Sequence, residues 1–225
     1  MTTLAFDVYG TLIDTAGVTG ALETLVGDDA RRFSEQWRQK QLEYTFRYGL
    51  MGHYRDFRIC TRQALDYCCA QRQADLSPDA RDYLMAQYLT LPAFDDVVEG
   101  LDRLSRAGVN MYAFSNGVPD DLEQLLGHAG IRAFFDGVVS VDEVATFKPD
   151  PAVYRHFLKR TRATASQSWL ISGNAFDICG ACAVGMRTLW LRRNPETVFD
   201  PWELTPDREA TSFTEMAALF TGAGR

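Results

Sequence analysis

The sequence predicts an α/β protein in which helices cover both faces of a parallel sheet. Three observations support this prediction. Apolar runs of strand length alternate with helical patterns, and short turns join them. Several of these runs end in small or polar residues, where open α/β sheets place their ligands. The long stretch between the first two predicted strands holds only helical patterns. We therefore expect a Rossmann-like core with an inserted helical cap domain.

The first strand is predicted at the apolar run that begins at Leu4. This run leads into Asp7 and then into a tight turn at Gly10–Thr11. Asp7 would lie at the carboxyl end of a strand, which is a ligand position in open α/β sheets. The alternative is an aspartate that only caps the following segment, because turns and helix starts favour this residue. Taken alone, Asp7 does not distinguish between the two interpretations.

The predicted cap domain covers residues 15–94, and the predicted core covers residues 1–14 and 95–225. Ser77 and Pro78 fit the N-cap and first position of a helix. The cap helices are predicted over 20–27, 28–50, 54–71 and 77–91.

The longest predicted cap helix, 28–50, carries five apolar or aromatic side chains. These are Phe33, Trp37, Leu42, Tyr44 and Phe46.

Strands and helices alternate in the rest of the core. The predicted strands are VNMYAF, GVVSV, SWLIS, RTLWL and a short one near 210–213. The predicted helices cover about 96–107, 119–130, 151–162 and 175–185, with a final helix at the end of the chain.

Composition excludes some functions. The net charge of -7 argues against nucleic acid or an anionic membrane as a partner. The chain has no apolar run of the roughly 20 residues that a membrane span needs, and its first residues predict no signal segment. We expect a cytoplasmic protein. An odd number of cysteines, five, fits a reducing compartment. Cys179 and Cys182 form a C-x-x-C pair, which is either a redox or metal pair or ordinary packing of small residues.

Four polar segments should meet at one edge of the predicted sheet, because the carboxyl ends of parallel strands lie together. Three of them follow strands: Asp7–Thr11, Ser115–Gly117 and Ser172–Asp177. The fourth, Phe147–Pro151, contains Lys148 and lies between a strand and a helix. Each segment alone is an ordinary turn, cap or solvated loop.

In this order and spacing the four segments resemble the haloacid dehalogenase superfamily. The resemblance covers the whole chain and implies an aspartate nucleophile at Asp7. Phosphatases of that superfamily carry D-x-D in the first segment, where the second Asp protonates the leaving group and its carbonyl helps to hold magnesium. This chain has Tyr9 there, and Asn174 replaces an acid of the last segment. Fewer carboxylates mean fewer hard oxygen ligands for magnesium.

The cap and the remaining segments resemble the bacterial L-2-haloacid dehalogenases. The matching segments are Trp37–Tyr44, Asp7–Thr11, Ser115–Gly117, Lys148–Pro149 with Tyr154, and Ser172–Asp177. Gly173 departs from the segment of these enzymes, in which a second Ser is common at this position. The resemblance implies hydrolysis of short (S)-2-haloalkanoic acids to (R)-2-hydroxy acids and halide, with inversion and through an Asp7 ester. It further implies that no metal and no organic cofactor is needed, and that the protein is a homodimer.

The resemblance also implies roles for individual residues. Lys148 would keep Asp7 ionised, Arg38 and Asn116 would receive the halide, and the Ser115 hydroxyl would bind the substrate carboxylate. Asp177 would be the general base, and Tyr154 would orient Arg38 or Lys148. The predicted catalytic residues are Asp7, Thr11, Arg38, Ser115, Lys148, Tyr154, Ser172, Asn174 and Asp177. The predicted substrate-binding residues are Tyr9, Arg38, Leu42, Phe57, Ser115, Asn116 and Phe176.

Two alternative functions stay open at this point. A magnesium-dependent phosphatase of the same superfamily would release phosphate only with magnesium, and Tyr9 and Asn174 argue against it. A non-catalytic binding protein on this fold would lack the nucleophile or the lysine, yet both Asp7 and Lys148 are present. Fold alone does not decide among these functions.

Overall fold

The computed structural model describes residues 2–222 and contains six strands and nine α-helices. In chain order these are β1 Thr3–Phe6, α1 Thr19–Val26, α2 Ala30–Leu50, α3 Phe57–Arg72, α4 Pro78–Gln87, α5 Val97–Ser105, β2 Asn110–Ser115, α6 Pro119–His128, β3 Gly137–Ser140, α7 Pro151–Thr161, β4 Ser168–Ser172, α8 Ala175–Cys182, β5 Arg187–Leu191, β6 Arg208–Ala210 and α9 Phe213–Thr221. Across residues 2–222, no helix is long and apolar enough to cross a membrane.

The six strands form one parallel sheet in the order β3-β2-β1-β4-β5-β6. The central strand, β1, is buried along its whole length, as expected when helices flank both faces of a sheet. The predicted α/β class with a parallel sheet is therefore confirmed. Its consequence for the site is that β1, β2 and β4 end side by side.

Helices α1 to α4 are inserted between β1 and α5, and residues 15–92 contain no strand. The chain leaves and re-enters the core through two adjacent segments. Ile13 and Ala93 form an antiparallel bridge, and Asp14 N–H donates to the Pro92 carbonyl at 2.9 Å. This arrangement agrees with the predicted insertion. The division into a core domain and a cap domain stays a prediction.

The buried face of α2 is only partly apolar. Of its apolar or aromatic side chains, Phe33 and Trp37 are buried, whereas Leu42, Tyr44 and Phe46 are half-buried. The buried face continues instead through Gln41 and Thr45, together with Ala30 and Ser34. The reason is polar contact with α3. Trp37 Nε1 donates to the Thr61 carbonyl at 2.9 Å, and Gln41 Nε2 donates to Thr61 Oγ1 at 2.6 Å.

Most predicted elements lie close to their observed bounds, with two visible differences. Helix α4 ends at Gln87, before the predicted 91. The last strand covers Arg208–Ala210 and not 210–213. Ser212 explains the second difference, because its hydroxyl accepts from Glu215 N–H and caps α9, so Phe213 already begins that helix.

Candidate active site

The carboxylate of Asp7 lies at the end of β1 and is almost completely buried. Its two oxygens have different environments. Oδ2 accepts hydrogen bonds from Thr11 Oγ1 at 2.8 Å, Asn174 Nδ2 at 2.7 Å and Ser172 Oγ at 3.2 Å. Oδ1 accepts from Lys148 Nζ at 3.0 Å. The first and last predicted segments therefore meet on one oxygen, and the lysine binds the other.

The ammonium group of Lys148 is buried and has three acceptors. Besides Asp7, Nζ donates to Asp177 Oδ2 at 2.8 Å and to the Phe114 carbonyl at 2.9 Å, and it lies 4.2 Å from the centroid of the Phe114 ring. Burial alone would lower the pKa of Lys148, but the charges of Asp177 and Asp7 outweigh it and raise the pKa above its ordinary value. Lys148 is therefore the charged partner of both carboxylates.

Asp177 lies beyond Lys148 and is fully buried. Its Oδ1 accepts from Tyr154 Oη at 2.8 Å, and its Oδ2 accepts from Lys148. Burial raises the pKa of Asp177 to about 6, although Lys148 and Tyr154 both favour the carboxylate form. A carboxyl group with such a pKa can exchange a proton near neutral pH.

Tyr154 contacts Asp177 directly. We expected it to orient Arg38 or Lys148, and its hydroxyl bonds to the side chain and the backbone carbonyl of Asp177, whose other oxygen binds Lys148. The tyrosine is fully buried on α7, facing α8. A Cβ atom at Gly180 would collide with the Tyr154 phenol, so this glycine leaves the space that Tyr154 occupies.

Core and cap residues together line a small cavity above Asp7. Helix α2 contributes Arg38 and Leu42, and the first residue of α3 is Phe57. All predicted substrate-binding residues line this cavity, which is formed by Asp7, Tyr9, Arg38, Leu42, Phe57, Ser115, Asn116, Lys148, Asn174 and Phe176.

The guanidinium of Arg38 is held by two acceptors. Nη1 donates to Gln41 Oε1 at 2.6 Å, and Nη2 donates to the Tyr9 carbonyl at 3.3 Å. Burial lowers the pKa of Arg38, while Tyr88 and Asp7 oppose this effect. An arginine remains charged under such conditions, so the cap places a cation over the cavity.

Ser115 and Asn116 present hydrogen-bond donors to the same cavity. Asn116 Oδ1 accepts from the backbone N–H of Lys148 at 3.0 Å, which directs the amide nitrogen away from that contact. Ser115 Oγ accepts from Gly117 N–H at 3.2 Å, so its own proton can be donated elsewhere. Both side chains are buried, and both line the cavity.

The site does not fit magnesium. In phosphatases of the superfamily that this chain resembles, the backbone carbonyl at the position of Tyr9 helps to hold the metal. Here that carbonyl accepts hydrogen bonds from Arg38 Nη2 and from Asn174 Nδ2 at 3.1 Å. The two carboxylates, Asp7 and Asp177, both bind Lys148. Over residues 2–222, no group of three or more His, Cys, Asp or Glu side chains is suited to a metal ion.

The C-x-x-C pair on α8 fits the packing interpretation. Cys179 is buried, and burial raises the pKa of its thiol, whereas reactive cysteines have a lowered pKa. Cys182 lies 3.5 Å from Thr188 Oγ1 and 3.6 Å from the Thr205 carbonyl.

Four residues near the site were missed at the level of sequence. Gln41 holds Arg38, Phe114 contacts Lys148, Gly180 makes room for Tyr154, and Phe46 packs on Phe176. Gln41 lies within the cap segment already noted for its resemblance, and Phe114 directly precedes Ser115, so both positions gave a signal. Phe46 was noted only as an apolar side chain of its helix, and Gly180 only as part of the C-x-x-C segment, because the contacts of both depend on packing between elements.

The class of protein follows from this site and a family comparison. A family profile described as haloacid dehalogenase-like hydrolase matches residues 1–185. The chain therefore belongs to the haloacid dehalogenase-like hydrolases.

Individual relatives place it more narrowly, within the (S)-2-haloacid dehalogenases. The chain is 38% identical over 223 residues to the (S)-2-haloacid dehalogenase of Pseudomonas sp. strain YL, covering 99% of this chain and 96% of that one. It is 33% identical to haloacetate dehalogenase H-2 of Moraxella sp. strain B, covering 91% of both chains. The L-2-haloacid dehalogenase of Xanthobacter autotrophicus, solved with chloropropionic acid covalently bound, superposes with a TM-score of 0.91 at 28% identity, covering 99% of both chains.

Proposed function

We propose that this protein hydrolyses short (S)-2-haloalkanoic acids to (R)-2-hydroxy acids and halide, through an ester of Asp7 and with inversion at the substrate carbon. The observation that carries the proposal is the asymmetry of the Asp7 carboxylate. One oxygen has three donors and the other has one, beneath a cavity that holds a cationic Arg38. The names of the relatives and the covalent complex of the Xanthobacter enzyme support it.

In the first step Asp7 Oδ1 attacks the carbon that bears the halogen. The new carbon–oxygen bond forms as the carbon–halogen bond breaks from the opposite side, and the halide leaves with the bonding electron pair. Oδ1 is the better nucleophile because it has fewer hydrogen bonds than Oδ2. Lys148 keeps the carboxylate ionised, and holding the reactants in line in the cavity supplies the entropic part of the acceleration.

Separate hydrogen-bond donors bind the substrate carboxylate and stabilise the leaving halide. Arg38 from the cap and the amide nitrogen of Asn116 stabilise the departing halide. The Ser115 hydroxyl binds the substrate carboxylate. Leu42, Phe57 and Phe176 surround the alkyl group. These assignments rest on the shared cavity and on the family resemblance.

In the second step water attacks the ester carbonyl carbon of Asp7 and not the substrate carbon, so the single inversion is kept. Negative charge then develops on Oδ2, which already accepts from Thr11, Ser172 and Asn174. These three donors act as an oxyanion hole. Collapse of the intermediate breaks the bond between the carbonyl carbon and Oδ1 and releases the hydroxy acid.

Asp177 acts as the general base for this water. Its raised pKa, about 6, lets it accept a proton from water at neutral pH and pass it to the leaving alkoxide. The second water proton is released when the Asp7 carboxylate is restored. Tyr154 and Lys148 hold the two Asp177 oxygens. No metal or organic cofactor takes part in either step.

We also propose a homodimer formed through the cap helices, on the strength of the family resemblance. Light scattering of the purified protein tests it, and the mass of a single chain in solution would contradict it. The small acid and its halide product are the proposed partners, and a cytoplasmic location completes the proposal.

The first test is chloride release from separate (S)- and (R)-2-chloropropionate in the presence of EDTA. We expect chloride from the (S) form only, and none from the Asp7→Asn variant. A parallel sample receives an aryl phosphate and magnesium. Phosphate release there, without chloride from either enantiomer, would replace the proposal with the phosphatase function.

A single turnover in ¹⁸O-labelled water, with enzyme in excess, tests the ester. The product should carry ordinary oxygen from Asp7, while the label enters the Asp7 carboxylate and is found in its peptide by mass spectrometry. Label in the product of the first turnover would instead mean direct attack of water on the substrate carbon.

A further inference from the structure

An apolar groove adjoins the catalytic cavity on the outer side of Phe176. It is much larger than the cavity itself. Its wall comes from the last turns of α2, the loop that carries Lys148, the start of α8 and Trp202 in the loop between β5 and β6. The proposed reaction of a two- or three-carbon acid does not use this groove.

The groove is continuous with the site through two shared residues. Lys148 and Phe176 line both spaces. Phe176 also packs edge to face on Phe46, with ring centroids 5.2 Å apart, and Phe46 lines the groove. The aromatic pair therefore forms the partition between cavity and groove. Phe176 is one of the residues that we assign to the substrate's alkyl group, so a longer alkyl chain would pass this partition first.

The chemistry of the wall fits a hydrocarbon chain. Leu50 and Trp202 are exposed at the groove although both are large and apolar. The two charged residues of the wall are already engaged. Lys148 Nζ binds the two site carboxylates, and Asp150 accepts from Ala152 N–H at 2.8 Å as the N-cap of α7. Apart from these two side chains, the wall is lined by apolar, backbone and small polar groups.

We propose that this groove is a chain-length subsite, which takes the alkyl tail of 2-haloalkanoic acids of about six carbons while their carboxylate and halogen lie at Asp7. The inference rests on the proposed dehalogenase function and extends its substrate class. Phe46 and Phe176 then determine whether the tail can enter. Burying one methylene raises kcat/KM about fourfold, so the three additional methylenes of a hexanoate raise it by up to about 60-fold.

Gly49 offers a substitution that fills the groove. It lines the wall near the end of α2, and a Cβ atom there would lie 3.5 Å from Thr146 Oγ1 and 3.9 Å from Phe147 N, which are ordinary contacts. Gly49→Leu therefore occupies the groove without a backbone collision. Gly20→Leu is the matched control, because Gly20 is exposed on α1 and no atom lies within 4 Å of its Cβ position.

The experiment compares kcat/KM for (S)-2-chloropropionate and (S)-2-chlorohexanoate. In the unsubstituted protein we expect the hexanoate to be better by at least about tenfold. Gly49→Leu should remove most of this preference and keep propionate turnover within about threefold, whereas Gly20→Leu should change neither. Leu50→Glu is a second variant at an exposed position, where folding is not at risk, and it should also weaken the preference.

The possible failures are distinguishable. No chloride from (S)-2-chloropropionate would overturn the proposed function, and the subsite with it. Chloride from propionate without a gain for the hexanoate would overturn the subsite alone, and so would an unchanged preference in both groove variants. A changed mass in light scattering for those variants, with the preference intact, would mean that the groove is an interface between copies and that the proposal is wrong.

Discussion

At the scale of single residues, the unequal hydrogen bonding of the Asp7 oxygens separates two chemical tasks. Lys148 alone binds Oδ1, so lone pairs of that oxygen remain available for attack. Thr11, Ser172 and Asn174 bind Oδ2, where negative charge would develop during ester hydrolysis. Substitutions on the two sides should therefore slow different steps.

Thr11→Val removes one donor to Oδ2 and keeps the shape of the side chain. We expect kcat to fall by about 10²- to 10³-fold, because one oxyanion donor is lost, and the Asp7 ester should accumulate. Intact-mass spectrometry of quenched reactions measures the ester. Thr45→Val is the control, since this buried hydroxyl bonds to the Leu42 carbonyl, away from Asp7. A large loss of activity without ester would mean that Thr11 acts in the first step.

Tyr154→Phe tests the role of Asp177 through pH. The Tyr154 hydroxyl stabilises the carboxylate form of Asp177, whose pKa is about 6. Losing that donor should raise the pKa further. Since a general base must be ionised, the acidic limb of the kcat profile should move to higher pH, with a smaller change at its plateau.

Tyr112→Phe is the matched control for that profile. Tyr112 lies on β2 and packs its ring on Phe157, so its hydroxyl can be removed without touching Asp177. Its acidic limb should stay in place. An unmoved limb in Tyr154→Phe as well would argue against Asp177 as the titrating base.

At the scale of elements, the turn after β4 fits tightly against the turn after β1. Gly173 N–H donates to Thr11 Oγ1 at 2.9 Å, and a Cβ atom at this glycine would lie only 2.7 Å from the Gly10 carbonyl oxygen. The obstacle is backbone, which cannot rotate away as a side chain can. Gly173 therefore stands where the two turns after β1 and β4 pack closely, at the position where the enzymes that this chain resembles commonly have Ser.

Gly173→Ala should destabilise the protein by about 1–3 kcal/mol, as overpacking in a well-packed region does. It should also lower activity by displacing Thr11. Chemical denaturation measures the free energy of unfolding. Gly127→Ala on α6 is the control, with no atom within 4 Å of its Cβ position, and it should be neutral or stabilising by up to about 1 kcal/mol. Equal stability of the two variants would show that the turns adapt.

The elements also show how far sequence reasoning extends. The strands and their sequence along the chain were predictable, because apolar runs and polar strand ends are local signals. The convergence of Asp7, Lys148 and Asn174 followed from parallel topology alone. The burial of Gln41 on α2 was not predictable, because it depends on a polar contact with α3 that no periodicity reveals. The contact of Tyr154 with Asp177 likewise depends on the packing of α7 against α8.

At the scale of the whole molecule, two side chains of the inserted segment hold the inserted helices to the sheet domain. Tyr54 Oη donates to Asp142 Oδ1 at 2.6 Å, and Arg58 forms two hydrogen bonds with Asp121, at 3.1 and 2.6 Å. Phe57 lies between them in the chain and packs on Tyr9, with ring centroids 5.3 Å apart. These contacts therefore set the position of a cavity wall.

The double variant Tyr54→Phe/Arg58→Met should let the inserted helices move away from the sheet, which opens the cavity above Asp7. A hydrogen bond to a charged group contributes about 1.5–3 kcal/mol, and an exposed ion pair less than about 1 kcal/mol. We expect kcat/KM for (S)-2-chloropropionate to fall about 10- to 50-fold, mainly through KM, because the substrate must then also close the cavity. Steady-state kinetics at constant ionic strength measures the change.

Arg62→Met provides the comparison, because it breaks an ion pair of the same kind within the inserted helices, between Arg62 on α3 and Asp82 on α4. It should leave KM unchanged. Comparing the two variants separates the effect of where the broken ion pair lies from the effect of breaking an ion pair at all. If both variants raised KM equally, general loosening of the helices would explain the result, and closure over Asp7 would not limit substrate binding. If only the double variant did so, the inserted helices would bind substrate as a unit that these two contacts hold in place.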